Sequence, residues 1–88
     1  MAQPILYSTP ACHLCELAEG LLLEAARATV PGLVWRVVDI SGDDALFERY
    51  GERIPVLCFA SGAELDWPFT GEELHRALRR EGLCQGPG

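Results

Sequence analysis

The first forty residues predict a strand, a helix and a second strand, and this order restricts the fold more than any other feature. Residues 4–8 are a short apolar run that ends in small polar residues, which is typical of a buried strand. Residues 33–40 are apolar at nearly every position, which predicts a strand covered on both faces of a parallel sheet. Between them, apolar residues recur at helical spacing, and the predicted stripe comprises Leu14, Ala18, Leu21, Ala25 and Ala28, widened by Leu17 and Leu22. Such a unit is a right-handed βαβ crossover.

A second, shorter helix is expected after this unit. Ser41 followed by Asp43 and Asp44 has the composition of a helix cap and an acidic first turn, and Gly51 is a suitable end. The predicted apolar face comprises Leu46, Phe47 and Tyr50.

The rest of the chain predicts a hairpin and a last helix. Residues 54–59 form the third predicted strand, and the pair 61–62 is a turn into a fourth strand at 63–67. Thr70 and Glu73 match a capping box that opens the helix. Three residues of this helix are expected to face inward: Leu74, Ala77 and Leu78.

The length allows one compact domain, which we expect to span residues 1–88 with residues 82–88 as a flexible tail. A hydrophobic fraction of 49% and a charged fraction of 23% are ordinary for a soluble globular chain. The predicted class is therefore α/β, with the order βαβαββα.

The charge balance restricts the possible partners. The chain has 13 acidic residues against 7 arginines and no lysine, for a net charge of -6, whereas nucleic acid is held by clustered cations. The longest apolar run, residues 54–60, is far short of the ~20 residues that cross a bilayer. We expect no nucleic-acid or membrane partner, and a monomer.

The cysteines indicate redox chemistry or metal binding. Residues 1–4 lack the basic and apolar character of an export signal, so we expect a cytoplasmic protein whose thiols are kept reduced. In that setting the C-x-x-C of Cys12 and Cys15 is a redox pair or part of a metal site. Cys58 and Cys84 stand alone at distant positions.

Cys12 is expected at the start of the first helix, where unpaired amides and the helix dipole favour an anion. This position would lower its pKa and make it the nucleophile. Cys15, one turn later, would be close enough to resolve a mixed disulfide formed at Cys12.

In these features the chain resembles a known family. The similarity rests on residues 7–16 (YSTPACHLCE), 38–40 (VDI), 50–51 (YG), 53–56 (RIPV) and 64–69 (ELDWPF). Together they look like the thioredoxin fold in its minimal, glutaredoxin-like form, and more narrowly like short bacterial glutaredoxin-like proteins with C-x-L-C.

The resemblance implies a four-stranded mixed sheet with three helices, and Cys12 exposed at one edge. It also implies a cis peptide bond before Pro55, beside Cys12, and a free Ile54 backbone that pairs with an extended substrate. The implied activity is thiol–disulfide exchange in cell redox homeostasis, with Cys12 as nucleophile and Cys15 as resolving thiol. The substrates would be protein or low-molecular-weight disulfides, and no bound cofactor is implied.

Two departures from the family pattern bear on glutathione as a co-substrate. Thr9 stands where glutathione-using members commonly carry a basic residue, and Glu72 and Glu73 fall in the helix turn that would receive the γ-glutamyl carboxylate. We therefore expect glutathione to be a poor ligand.

The main alternative is a metal or iron–sulfur binding protein or carrier on the same fold, because thiolates at this spacing also chelate metal. The further ligands would come from His13, Cys58, His75 or Cys84. A scaffold in which the redox pair is vestigial is a third alternative.

Most other singled-out residues have ordinary structural interpretations. Cys58 is expected to be a small buried hydrophobe, Cys84 an exposed thiol and His75 a surface residue. His13 could either stabilise the Cys12 thiolate or point away from it.

Four aromatic and charged residues also have structural interpretations. Tyr7 is expected in the core, and Trp67 with Phe69 would either pack the last helix or form a rim for a substrate. Arg53 is expected to be a solvated charge before the third strand, and contact with a carboxylate of a substrate is the alternative.

Overall fold

The computed structural model describes residues 3–83, which form three helices and four strands in the predicted order. The elements are β1 (Ile5–Ser8), α1 (His13–Ala28), β2 (Arg36–Asp39), α2 (Asp44–Tyr50), β3 (Val56–Cys58), β4 (Glu64–Asp66) and α3 (Gly71–Arg80).

The strands form one mixed sheet in the order β2-β1-β3-β4. β1 pairs in parallel with β2, and β3 is antiparallel to both β1 and β4. This topology confirms the predicted thioredoxin-like fold. Because β1, β2 and β4 run in the same direction, they all end at one edge of the sheet, and α1, α2 and α3 each follow one of these ends.

Two apolar clusters lie on opposite faces of the sheet, because successive side chains of a strand alternate between faces. Leu6 and Leu57 belong to the larger cluster, with residues of α1 and α3. Val56 and the neighbour of Leu6, Tyr7, belong to the smaller cluster, with Tyr50 of α2. The expected core position of Tyr7 is only partly met, since it is half-buried.

The second strand differs from its prediction. β2 is an edge strand of four residues, and Val37 is 48% exposed. Leu33 and Ile40 are buried, but they lie outside the strand, at the two ends of the apolar run. The apolar run is therefore buried mainly at its two ends, and the strand within it is not covered on both faces.

The buried stripe of α1 is shifted from the predicted one. It consists of Cys15, Ala18, Leu22 and Ala25, while Leu14 and Leu17 are 46% and 47% exposed. Ala28 is also exposed. Leucines occur on several sides of this helix, so composition could not fix which side faces the sheet.

The short helix α2 is capped by Asp43, whose carboxylate accepts a hydrogen bond from the Leu46 amide at 3.1 Å. Tyr50 is buried and Leu46 is half-buried, but Phe47 is 55% exposed, contrary to expectation. In a helix of two turns only one narrow face can meet the sheet, and Leu46 and Tyr50 occupy it at i and i+4. The strands β3 and β4 are also shorter than predicted.

The capping box that starts α3 is confirmed, with Thr70 and Glu73 exchanging side-chain to backbone hydrogen bonds. The three residues expected to face inward are buried. Gly82, just beyond the C-cap Glu81, has a positive φ of 75°, and Leu83 then donates its amide to the Leu78 carbonyl at 2.9 Å. The Gly82 amide also donates to the Arg79 carbonyl at 3.0 Å, and the two bonds form a Schellman motif that satisfies carbonyls of the last turn. Cys84 and the rest of the predicted tail lie outside the described residues.

In the stretch from residue 3 to residue 83, no helix combines the length and the apolar character needed to cross a membrane.

Candidate active site

Cys12 caps the N-terminus of α1, as the sequence predicted. Its sulfur accepts a hydrogen bond from the Cys15 amide at 3.1 Å, and its backbone is extended. The cap follows from the chain direction, because β1 leads into the short turn 9–11 and then into the helix. The Cys12 sulfur therefore lies where helix amides and the helix dipole stabilise negative charge.

Cys12 and Cys15 form a disulfide, with 5.2 Å between their Cα atoms. Cys12 is half-buried, whereas Cys15 is 5% exposed and belongs to the buried stripe of α1. Cys12 is therefore the more exposed of the two residues, and Cys15 is almost closed to solvent.

Ala11, just before the pair, is a site residue that sequence reasoning missed. Its φ of 59° lies in the left-handed region, which costs a residue with a side chain about 1–2 kcal/mol. Strained backbone of this kind clusters at functional sites. Alanine has no preference for this conformation, so the sequence contains no signal for it.

The segment before β3, residues 53–55, lies at the same edge of the sheet as Cys12. Tyr7 pairs with Val56, so Pro55 and Ser8 are at corresponding positions on neighbouring strands. Pro55 is buried, and the peptide bond between Ile54 and Pro55 is cis.

The Ile54 backbone is not as free as the resemblance implied. The Ile54 amide donates to the Tyr50 carbonyl at 3.0 Å, and the Trp67 amide donates to the Pro55 carbonyl at 3.2 Å. Pairing of Ile54 with a substrate can therefore use its carbonyl oxygen but not its amide.

Arg53, in this segment, and three other side chains form a hydrogen-bonded set. We call it the Arg53 cluster, and its members are Tyr50, Arg53, Glu64 and Asp66. Arg53 donates to both Asp66 oxygens at 2.9 and 3.1 Å and pairs with Glu64, while the Tyr50 hydroxyl donates to Glu64 at 2.8 Å. Arg53 is therefore not the solvated charge that was expected. The sequence contains both partners, but only the β3–β4 hairpin brings their strand beside Arg53.

The cluster shifts the titration of its members. The hydrogen bonds from Arg53 and Tyr50 hold the pKa of Glu64 below its ordinary value of 4.5. Burial, together with the bond to Glu64, raises the pKa of Tyr50 to about 12. The Tyr50 ring also stacks on Tyr7 at 4.4 Å and lies under the Arg53 and Arg49 guanidinium groups.

The pKa of Glu64 predicts a pH dependence of stability. A carboxylate with a lowered folded-state pKa stabilises the fold above about pH 4.5, and this contribution is lost as the pH falls below that value. Glu64→Gln should therefore be less stable than wild type at pH 7, and the difference should shrink towards pH 3. Urea unfolding at each pH measures it, with Glu48→Gln, an exposed site on α2, as the charge-matched control. An equal loss at both pH values would contradict the prediction.

The remaining candidate ligands are scattered. Cys58 is a half-buried free thiol in β3, and burial followed by the nearby Glu64 carboxylate raises its pKa. His13 is exposed, and His75 is half-buried rather than a surface residue. Residues 3–83 hold no group of three or more His, Cys, Asp or Glu side chains arranged to bind a metal ion.

The aromatic pair near this edge has a packing role. Trp67 and Phe69 meet edge to face with their ring centroids 5.1 Å apart. Phe69 is 4% exposed in the larger cluster, and Trp67 packs against that cluster while remaining half-buried.

The sequence from residue 4 to residue 79 matches the family model described as Glutaredoxin-like domain (DUF836). The chain belongs to the glutaredoxin-like family. It is similar to the X-ray structure of target protein XcR50 from X. campestris, with 40% identity and a TM-score of 0.77 over 88% of this chain and 96% of that chain. This glutaredoxin-like chain has no match among curated proteins.

Two more distant structures share the fold. Protein Ne2328 from Nitrosomonas europaea is 23% identical, with a TM-score of 0.71 over 85% of this chain and 88% of that one. Thioredoxin O2 from Arabidopsis thaliana in its oxidized state is 21% identical, with a TM-score of 0.61 over 89% of this chain and 72% of that one. A thioredoxin-like fold with a disulfide between Cys12 and Cys15 fits a redox function.

Proposed function

We propose that this glutaredoxin-like protein is a thiol–disulfide oxidoreductase that acts in the redox homeostasis of the cytoplasm. The observation that supports it best is the difference between the two sulfurs: Cys12 is accessible and capped by an amide, and Cys15 is buried one turn away. A resolving thiol needs this proximity but no access of its own.

The proposed reaction transfers two electrons from the reduced pair to a client disulfide. The Cys12 thiolate attacks one client sulfur, the client S–S bond breaks, and the departing client sulfur takes up a proton. Cys15 then loses its proton and attacks the Cys12 sulfur, which releases the second client thiol and leaves the Cys12–Cys15 disulfide.

The α1 terminus would assist the first step. The Cys15 amide, which bonds the Cys12 sulfur at 3.1 Å, would stabilise a thiolate at the same place, as would the dipole of a 16-residue helix. We therefore infer that Cys12 has the lower pKa of the two thiols in the reduced protein.

The contacts at the start of α3 argue against glutathione as a ligand. The Thr70 amide bonds the Glu73 carboxylate and the Glu73 amide bonds the Thr70 hydroxyl, so both donors are occupied where a γ-glutamyl carboxylate would dock. Glu72 lies exposed in the same turn, where Arg76 pairs with it at 3.1 Å. Arg53, a cation that could compensate, is already paired with two carboxylates.

Acidic side chains at this edge of the sheet would repel a negatively charged client. The first turns of the three helices, which all begin here, carry Glu16, Asp44, Glu72 and Glu73. We infer that the client is a protein or peptide disulfide bound by apolar contact near Trp67 and by backbone pairing with the Ile54 carbonyl.

The activity is tested by reduction of a protein disulfide in the presence of excess dithiothreitol, together with the reduction potential of the pair. We expect the protein to accelerate reduction well above the rate with dithiothreitol alone. A rate equal to that background would contradict the proposed function. About one zinc per chain, or a visible chromophore, in freshly purified protein would favour the metal alternative instead.

The glutathione inference is tested with the Cys15→Ser variant trapped as the mixed disulfide between Cys12 and glutathione. We expect NMR shift changes around Cys12 but none at the amides of residues 70–73. The matched control is a mixed disulfide with a neutral apolar peptide, which should also shift the Trp67 amide. Ordered contacts from glutathione to the 70–73 amides would contradict the inference.

A further inference from the structure

The Arg53 cluster connects the segment 53–55 to β4 through side-chain hydrogen bonds. The planar Arg53 guanidinium is bidentate on Asp66 and also reaches Glu64, so it joins this segment to both ends of β4. The Tyr50 hydroxyl occupies the second Glu64 oxygen and so orients the carboxylate towards Arg53. Fork-like pairs of this kind fix geometry as well as charge.

The backbone of the same segment is held by few other bonds. The Arg53 and Ile54 amides both donate to the Tyr50 carbonyl, at 2.8 and 3.0 Å, and the Pro55 carbonyl accepts from Trp67. Proline has no amide to add a further bond. Arg53 directly precedes Ile54, so its side chain links the backbone beside the Ile54 carbonyl to β4.

We propose that Arg53 is a positioning residue that fixes the Ile54 carbonyl for pairing with a client, and that it does not bind a carboxylate of the client. This inference rests on the proposed function. A guanidinium shared between two carboxylates carries no surplus positive charge for a third. Loss of the fork would let the segment shift, and small displacements of a substrate-positioning group reduce rates strongly.

The first test uses Arg53→Met and a peptide disulfide without charged residues. We expect kcat/KM to fall about tenfold, mainly through KM, because pairing with the client is weakened. The rate of Cys12 alkylation by iodoacetamide should stay unchanged, since that reagent does not need Ile54. Arg53→Lys should recover only part of the loss, because an ammonium cannot form the fork.

Arg49→Met is the matched control. Arg49 also lies over the Tyr50 ring, at 5.3 Å, and approaches Glu64 at 3.6 Å, but it is outside the segment. Its replacement removes the same charge and should leave kcat/KM unchanged. An equal loss in both variants would overturn the proposal, as would a parallel loss of Cys12 alkylation or no loss in Arg53→Met.

Asp66→Ala separates positioning from direct binding by the sign of its effect. If Arg53 positions the segment, this variant loses kcat/KM for neutral and acidic peptide disulfides alike. If Arg53 binds client carboxylates, the variant frees it and acidic peptides react faster than with wild type. The second result, or a loss in Arg53→Met confined to acidic peptides, would overturn the proposal.

Hydrogen exchange of the Trp67 amide gives a readout that does not need turnover. We expect faster exchange in Arg53→Met than in Arg49→Met, because the Pro55 carbonyl moves away from its donor. Unchanged exchange would overturn the proposal. A wild-type protein that reduces no disulfide would instead count against the proposed function, and the exchange rates would still decide whether Arg53 holds the segment.

Discussion

Cys12→Ser should lose catalysed disulfide reduction by at least about a thousandfold, because it removes the nucleophile itself. Cys15→Ser should fail in a different way. Its Cys12 can still attack a client, but the neighbouring thiol that would resolve the mixed disulfide, 5.2 Å away from Cα to Cα, is gone, so the protein should accumulate as a stable mixed disulfide. Intact mass spectrometry after a single exposure to a peptide disulfide distinguishes the two variants.

Cys58→Ser is the control for this pair of variants. Cys58 is a half-buried thiol in β3 with a raised pKa, so its removal should leave turnover unchanged. Adduct on Cys15 in the Cys12→Ser variant at the wild-type rate would reverse the assigned roles. A dominant oxidation product through Cys58 would contradict the redox pair itself.

Leu57→Ala should destabilise the fold by about 2 to 5 kcal/mol, the range for a buried leucine whose removal leaves a cavity. Leu57 is fully buried in the strand next to β1, with Leu6 on one side and Leu65 on the other in the sheet register. Because Leu57 lies between two hydrogen-bonded strands, those strands cannot easily move to fill the cavity that the alanine leaves. Urea unfolding of the oxidised protein measures the loss.

Leu23→Ala supplies the control, because Leu23 is 58% exposed on α1. The same truncation there should change the free energy of unfolding by no more than about 0.5 kcal/mol. Equal losses at the two positions would mean that the larger cluster is not the core of the fold.

The sequence alone predicted the element order and the redox pair, because local signals determine both. The capping box of Thr70 and Glu73 is formed within four residues of chain, and its contacts in the structure are the predicted ones. The position of Cys12 at a helix start likewise depends only on where an apolar run gives way to helical spacing.

The tertiary structure decided which apolar side chains are buried. On α1, Leu14 and Leu17 are as hydrophobic as Leu22, but the sheet covers one side of the helix and leaves the other to solvent. For residues 33–40, the position of β2 at the edge of the sheet decided the exposure of Val37. Neither the side of a helix that meets a sheet nor the order of strands is a local property.

The Arg53 cluster shows the same limit at the candidate site. Arg53 lies 11 residues from Glu64 and 13 from Asp66 along the chain, and no periodicity links them. Antiparallel pairing of β3 with β4 places both carboxylates on one face, beside the segment that precedes Pro55. The sequence therefore determined the place of Cys12 and Cys15 at a helix start through local signals. The surroundings of Ile54 and Pro55 were decided by strand pairing, because only pairing brings distant charges within hydrogen-bond distance.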